Sequence, residues 1–201
     1  VKFCVINNGS LYLDNILARL SEKHTYHLVD YSPYHKIDIG NADMVILSGG
    51  MTHEVDDLMP DGTYYFQEQF NLINSCPVPI FGICLGLQMM TVACGGKLKI
   101  MPKMVHENKV INLNLQGLKE LGEGDLFVHK RHQIIAHNPE NHGFEILASS
   151  SEGPEIIKHV NRQLLGVQFH PEIDVDHKTE QEFWRLLSLL EPSLSEKGVY
   201  A

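Results

Sequence analysis

The chain has 201 residues, enough to bury one core, and its 43% apolar and 20% charged composition is that of a folded protein rather than a disordered one. A formal net charge of -9 excludes a broad basic surface for nucleic acid or anionic membrane, and no apolar run approaches the length of a membrane span. Small substrates and protein partners fit this balance better. Cys4, Cys76, Cys84 and Cys94 stand at spacings that form neither a metal pair nor a disulfide framework, so free thiols in a reducing compartment are expected. With no leader-like segment opening the sequence, the expected address is the cytoplasm.

In chain order, Lys2 to Ile6 is a short apolar run that ends in the polar turn Asn7-Asn8-Gly9-Ser10, a first strand. Leu13, Ile16, Leu17 and Leu20 then repeat at helical spacing, with Ser10 placed to cap the start. Thr25 to Tyr31 is expected to be a strand. Met44 to Leu47 is almost purely apolar, as a parallel strand buried on both faces should be, and Ser48-Gly49-Gly50 is expected to stop it with a turn. Tyr64 to Ile73 predicts a helix, Ile80 to Ile83 a second buried strand, and Leu85 to Cys94 a helix closed by Gly95-Gly96.

From Lys97 onward the pattern changes to short β-like runs: Lys97 to Met101, Lys109 to Leu113, Phe144 to Ala148, Glu155 to Val160 and Leu164 to Phe169. Helices are scarce there. Only Thr179 to Leu190 carries helical spacing, in Phe183, Leu186, Leu187 and Leu190, with Pro192 expected to end it. The sum is one domain over residues 1–201, an α/β fold with a mostly parallel central sheet flanked by helices and antiparallel additions in the second half.

The strongest chemical feature is Gly82-Ile83-Cys84-Leu85-Gly86, where a buried strand meets a helix with cysteine at the junction and glycine two residues to each side. That is the pattern of a nucleophile elbow, in which a tight strand-to-helix turn presents the reactive side chain and flanking glycines avoid collision with neighbouring backbone. A helix N-terminus favours the thiolate, the reactive form. Alone, Cys84 would read as a buried small residue. It gains weight from His170-Pro171-Glu172, which follows the apolar run Leu164 to Phe169 and so sits at a strand end. A thiol nucleophile needs a base and a group to orient that base, and these two residues supply both types. Taken singly, His170 is one of twelve histidines, most of which have only surface or core roles.

Gly82-Ile83-Cys84-Leu85-Gly86-Leu87-Gln88, Gly166-Val167-Gln168-Phe169-His170-Pro171-Glu172 and Ser48-Gly49-Gly50 together resemble, in order and spacing, the signature set of class I glutamine amidotransferases. The resemblance implies the flavodoxin-like fold of that family and hydrolysis of the glutamine side-chain amide through a glutamyl thioester, releasing ammonia. It implies Cys84 as nucleophile, His170 as general base and acid, and Glu172 as the residue that orients the histidine. Backbone N–H groups of Leu85 and of Gly49 or Gly50 would form the oxyanion hole, Gln88 would contact substrate, and His132 and Gln133 would lie in the segment that holds the amino-acid end. The stretch Lys130 to Gln133 reads equally as a solvated basic loop, and Ser48-Gly49-Gly50 by itself as a plain turn.

No metal and no cofactor is implied. L-glutamine is the expected substrate, and a separate synthase chain the expected ammonia acceptor, because no Walker-type phosphate loop is present. GMP synthase, anthranilate synthase and aminodeoxychorismate synthase are the candidates, with the leaning toward GMP synthase. Two departures from the family pattern stand out: Met51 where proline often follows the glycine pair, and Leu87 where histidine or methionine is common. Asn7-Asn8-Gly9-Ser10 only loosely resembles the Asp-Asn-Gly turn of the GMP synthase branch. A γ-glutamyl peptide or amine hydrolase on the same scaffold, with no acceptor, is the alternative; Leu85 and Gln88 favour the amidotransferase. A catalytically silent binding module would be expected to have lost part of the Cys, His and Glu set, which is intact here.

Overall fold

The structure, a computed structural model, describes residues 1–122, 124–191 and 194. Among these residues nine strands form one sheet. Its first half is parallel: β1 (Lys2–Asn8) lies between β2 (Thr25–Asp30) and β3 (Met44–Gly50), and β3 is followed by β4 (Ile80–Ile83) and β9 (Leu164–Val167). Beyond β9 every pairing is antiparallel, through β8 (Pro154–His159), β7 (Phe144–Ser149), β5 (Lys97–Leu113) and β6 (Asp125–His137). The order across the sheet is β2-β1-β3-β4-β9-β8-β7-β5-β6. The expected parallel core with antiparallel additions is therefore the fold observed.

Alternation along the central strands divides the core into two layers. On β1, Phe3 and Val5 join the cluster packed beneath helices α1 (Leu13–Ser21) and α5 (Thr179–Ser188), while Cys4 and Ile6 join the cluster beneath α2 (Gln67–Ser75) and α3 (Leu85–Ala93). Successive strand residues point to opposite faces, so a strand sandwiched between helices must be apolar throughout. Helix α3 is buried over Leu85–Thr91, which explains why its sequence shows no polar face.

Several boundaries differ from those expected. Ser10 does not cap α1: the N-cap is Tyr12, and Ser10 Oγ instead accepts the Tyr12 backbone N–H at 3.1 Å. Ser48-Gly49-Gly50 does not end β3, which runs through Gly50 with Gly50 paired to Asn8. The runs at Lys97 and Lys109 are one strand, β5, with a register shift between Ile100 and Val105. Lys130 to Gln133 is no solvated loop, for it lies in the middle of β6, and Lys130 has no exposed surface. A short helix, α4 (Leu115–Leu121), also interrupts the strand-rich half. Pro192 lies outside the described residues.

Candidate active site

Cys84 stands between β4 and α3 with φ +51° and ψ -99°. That left-handed conformation in a non-glycine residue costs about 1–3 kcal/mol. Close packing holds it there. A Cβ on Gly82 would lie 2.6 Å from the Gly86 carbonyl carbon, and one on Gly86 would lie 2.6 Å from the Leu47 carbonyl oxygen. The two glycines let α3 start directly against β3 and β4. Gly86→Ala is expected to destabilise the protein by about 2 kcal/mol, because backbone rather than a mobile side chain meets the new methyl. Thermal unfolding checks this; an unchanged midpoint would show that α3 can back away from β3 at no cost.

His170 follows β9, the strand beside β4, so the histidine arrives next to the elbow. Its backbone N–H donates to the His129 carbonyl at 2.8 Å, tying the tip of β9 to β6 and curling the second half of the sheet over the site. The side chain is buried, and Nδ1 bonds to Glu172 Oε1 at 2.8 Å. A carboxylate only accepts, so Nδ1 carries the proton and Nε2 is left for Cys84. Burial opposes the imidazolium, but Glu172 and the adjacent Cys84 outweigh it and raise the His170 pKa well above its usual value. Glu172 is buried as well. Its backbone carbonyl accepts from Arg19 of α1, whose Nη2 also pairs with Asp174 at 2.7 Å.

Besides His170, the Cys84 sulfur has two polar neighbours: the Arg131 carbonyl at 3.8 Å and Gln168 Nε2 at 3.6 Å. Gly49 sits directly behind it, since a Cβ there would be 3.8 Å from Cys84 Cβ and 3.2 Å from His170 Cε1. Gly50 abuts the Leu85 side chain and the Asn8 backbone. The end of β3 is braced by a buried amide network in which Asn8 bonds to both Ser48 and Gln69.

A cleft of about 620 Å³ opens beside the thiol, lined among others by Gly50, Leu85, Gln88, His132 and Gln133. Gln88 Nε2 donates to the Ile134 carbonyl at 2.8 Å and Gln133 Nε2 to the Met101 carbonyl at 3.0 Å. His132 differs from both. It is buried, neither ring nitrogen has a protein partner, and burial, with Lys130 and His170 nearby, lowers its pKa to about 4. Gly50, Leu85, Gln88, His132 and Gln133 thus line one cleft with Cys84, while Gly49 and the His170-Glu172 pair lie against the thiol outside that lining.

Several contributors to the site are not foreseen by the sequence patterns. Tyr12 and Arg19 carry no motif, and Arg131, inside the stretch Lys130 to Gln133, meets Cys84 through its backbone carbonyl; Tyr12 meets His170 edge-on at 4.8 Å between ring centroids. Arg19 leaves one legible trace, a cation between the core positions Ile16 and Leu20 of α1. Lys130 is held by Glu152 at 2.6 Å, by Ser150 and by buried Glu155, on whose carboxyl burial raises the pKa despite the lysine. Among the described residues, no group of three or more His, Cys, Asp or Glu side chains is arranged to hold a metal.

The family profile described as glutamine amidotransferase class-I matches residues 4–185. The chain belongs to that family. Relatives of this amidotransferase include the glutamine-hydrolyzing GMP synthases of Staphylococcus saprophyticus, 33% identical over 178 residues, and Aquifex aeolicus, 29% identical over 177. Each alignment covers 84% of this chain and 32% of the relative, so the chain spans about a third of the length of the curated relatives it matches. A crystal structure of a candidate GMP synthase subunit from Thermoplasma acidophilum superposes with a TM-score of 0.78 at 19% identity, covering 99% of this chain and 98% of the other. A glutamine amidotransferase from Thermotoga maritima gives 0.67 at 17% identity, covering 100% and 86%. At such identities these two likenesses are of fold. Among the described residues, no helix of this amidotransferase is long and apolar enough to cross a membrane.

Proposed function

We propose that the chain hydrolyses the side-chain amide of glutamine at Cys84 and hands the ammonia to a synthase partner. One observation carries this reading: within a chain of the amidotransferase family, a buried His170-Glu172 pair abuts a cysteine held in a strained elbow. His170 Nε2 holds the proton given up by the thiol, so that Sγ attacks the amide carbon as the thiolate, and Glu172 orients the ring and, once it is neutral, fixes its tautomer. Backbone N–H groups of Leu85 and of Gly49 or Gly50 receive the charge that grows on the amide oxygen, each worth about 3 kcal/mol in the transition state. His170 then returns its proton to the departing nitrogen. Water attacks the thioester with the same histidine as base, giving glutamate and free thiol. In the cleft Gln88, His132 and Gln133 hold the amino-acid end.

GMP synthase is the acceptor we favour, because the chain covers about a third of each glutamine-hydrolyzing GMP synthase to which it is similar. The test uses the purified chain with and without a GMP synthase portion that lacks its own amidotransferase region. Glutamate release is expected to be slow alone and to rise about tenfold with the synthase present, the equivalent of about 1.4 kcal/mol in barrier height. No response would remove GMP synthase as acceptor. Rapid turnover of γ-glutamyl peptides by the chain alone would replace the amidotransferase reading with that of a γ-glutamyl hydrolase.

A further inference from the structure

A second, much smaller cavity reaches Cys84 beside the glutamine cleft, on the side that His170 lines. It is lined by Ser10, Leu11, Tyr12 and His170, together with Gly50, Met51, Cys84 and Arg131, and the last four also line the cleft. Its volume is about 20 Å³. A water needs about 10–15 Å³ measured this way, so the chamber holds one water-sized molecule and cannot admit a glutamyl chain. Ser10 Oγ and His170 Cε1 both approach the point above Gly49 that also touches Cys84 Cβ, at 3.7, 3.2 and 3.8 Å. The Ser10 hydroxyl therefore sits beside the reacting pair. The Tyr12 ring closes one wall, edge-on to His170, and its hydroxyl is anchored to His129 Nε2 at 3.2 Å.

Consider the tetrahedral carbon formed on Cys84, on the reading proposed above. One substituent is the sulfur and one the carbon chain, which only the large cleft can hold. The third is the oxyanion, directed at the backbone N–H groups of Leu85 and the glycine pair. The fourth, the leaving nitrogen, must face His170 to receive its proton, and the space on that side is the small chamber. We propose that this chamber is the port where the amide nitrogen departs and the hydrolytic water takes its place, with Ser10 Oγ as the polar group that positions that water. In the second half-reaction the water oxygen forms the new C–O bond while its proton passes to His170. The C–S bond then breaks, its electron pair goes to Sγ, and His170 returns the proton to the sulfur. Leu11 and Met51, both more than half exposed, form the outer rim through which small molecules exchange.

The experiment partitions the glutamyl thioester between water and hydroxylamine, a nucleophile with one more heavy atom than water, by measuring glutamate and γ-glutamyl hydroxamate together. Their ratio does not depend on how much of a preparation is folded. Ser10→Ala and Ser10→Gly enlarge the chamber and remove the hydroxyl, so each is expected to raise the hydroxamate-to-glutamate ratio about threefold or more. They should also slow glutamate release by up to about tenfold, the loss of one ordinary hydrogen bond. A ratio unchanged from wild type in the variant that turns over would overturn the port. Alkylation of Cys84 by a glutamine chloroketone, which needs neither water nor a leaving amine, separates the two levels of claim. If wild type is neither alkylated nor able to release glutamate, the proposed function itself fails; alkylation and turnover with an unmoved ratio refute only the chamber's role.

Discussion

Cys84→Ala is expected to lower glutamate release by at least about four orders of magnitude while leaving the fold in place. No other side chain of the site can form the thioester, and what survives loss of a nucleophile is only the contribution of binding and oxyanion donors. The folded state should tolerate the change, since alanine keeps the Cβ and fills most of the same space. Part of the elbow's strain persists, because alanine in a left-handed conformation meets the same steric cost as cysteine. The measurement is steady-state glutamate release beside a thermal melt. Retention of activity above a few per cent would mean that another group attacks the amide.

The second large effect is expected at Glu172. Glu172→Gln keeps the shape of the side chain but replaces a pure acceptor with an amide able to present a donor to His170 Nδ1, which permits the wrong tautomer. Turnover should fall by about a thousandfold, since in the proposed mechanism His170 both accepts and returns a proton in each cycle. Stability supplies an independent readout. The folded pKa of His170 is raised, against burial, by Glu172 and Cys84. The stabilisation from its charged form is complete below the unfolded value of about 6.5 and is lost as pH rises through the raised folded value. The midpoint of urea unfolding for Glu172→Gln should therefore drop most against wild type near about pH 6, by the equivalent of about 2 kcal/mol, and the gap should narrow toward alkaline pH. A gap that widened with pH would show that the native pair is not held in its charged form.

The parts of this site that can be read in the sequence are those where one backbone requirement admits one residue type. Gly82 and Gly86 are legible because a methyl at either would collide with main chain across the elbow. Cys84, His170 and Glu172 are legible because each ends a short, wholly apolar strand or begins its loop. Strand β6 is hidden for the opposite reason. His129 to Gln133 is a run of polar residues, and what makes it a strand lies far away in sequence: pairing along β5, and the carboxylates of Glu152 and Glu155 that compensate buried Lys130. Unpaired, such a lysine would not be buried at all. Helix α4 is a different case, since its signals are local and present. Asn114 accepts two backbone N–H groups at its start and Gly122 closes it with φ +78°, the standard start and stop chemistry on a segment of only seven residues. Strand β5 reads as two runs because Pro102 and the charged residues after it break the apolar alternation at the register shift.

Strand β9 lies at the centre of the sheet yet is the last of the nine in sequence, and its buried residues separate the parallel half from the antiparallel half. During synthesis from the N-terminus, β4 is complete long before its neighbour β9 exists, so one wholly apolar edge must wait, exposed to partners of the wrong kind, until four further strands and β9 itself have been made. The same order makes the thiol harmless in the meantime. Cys84 is translated more than eighty residues before His170, and nothing brings base and carboxylate to the sulfur until β9 slots between β4 and β8. On the function proposed above, closing the sheet and arming the nucleophile are one folding event, so a chain stalled before that insertion would hold a cysteine but no hydrolase.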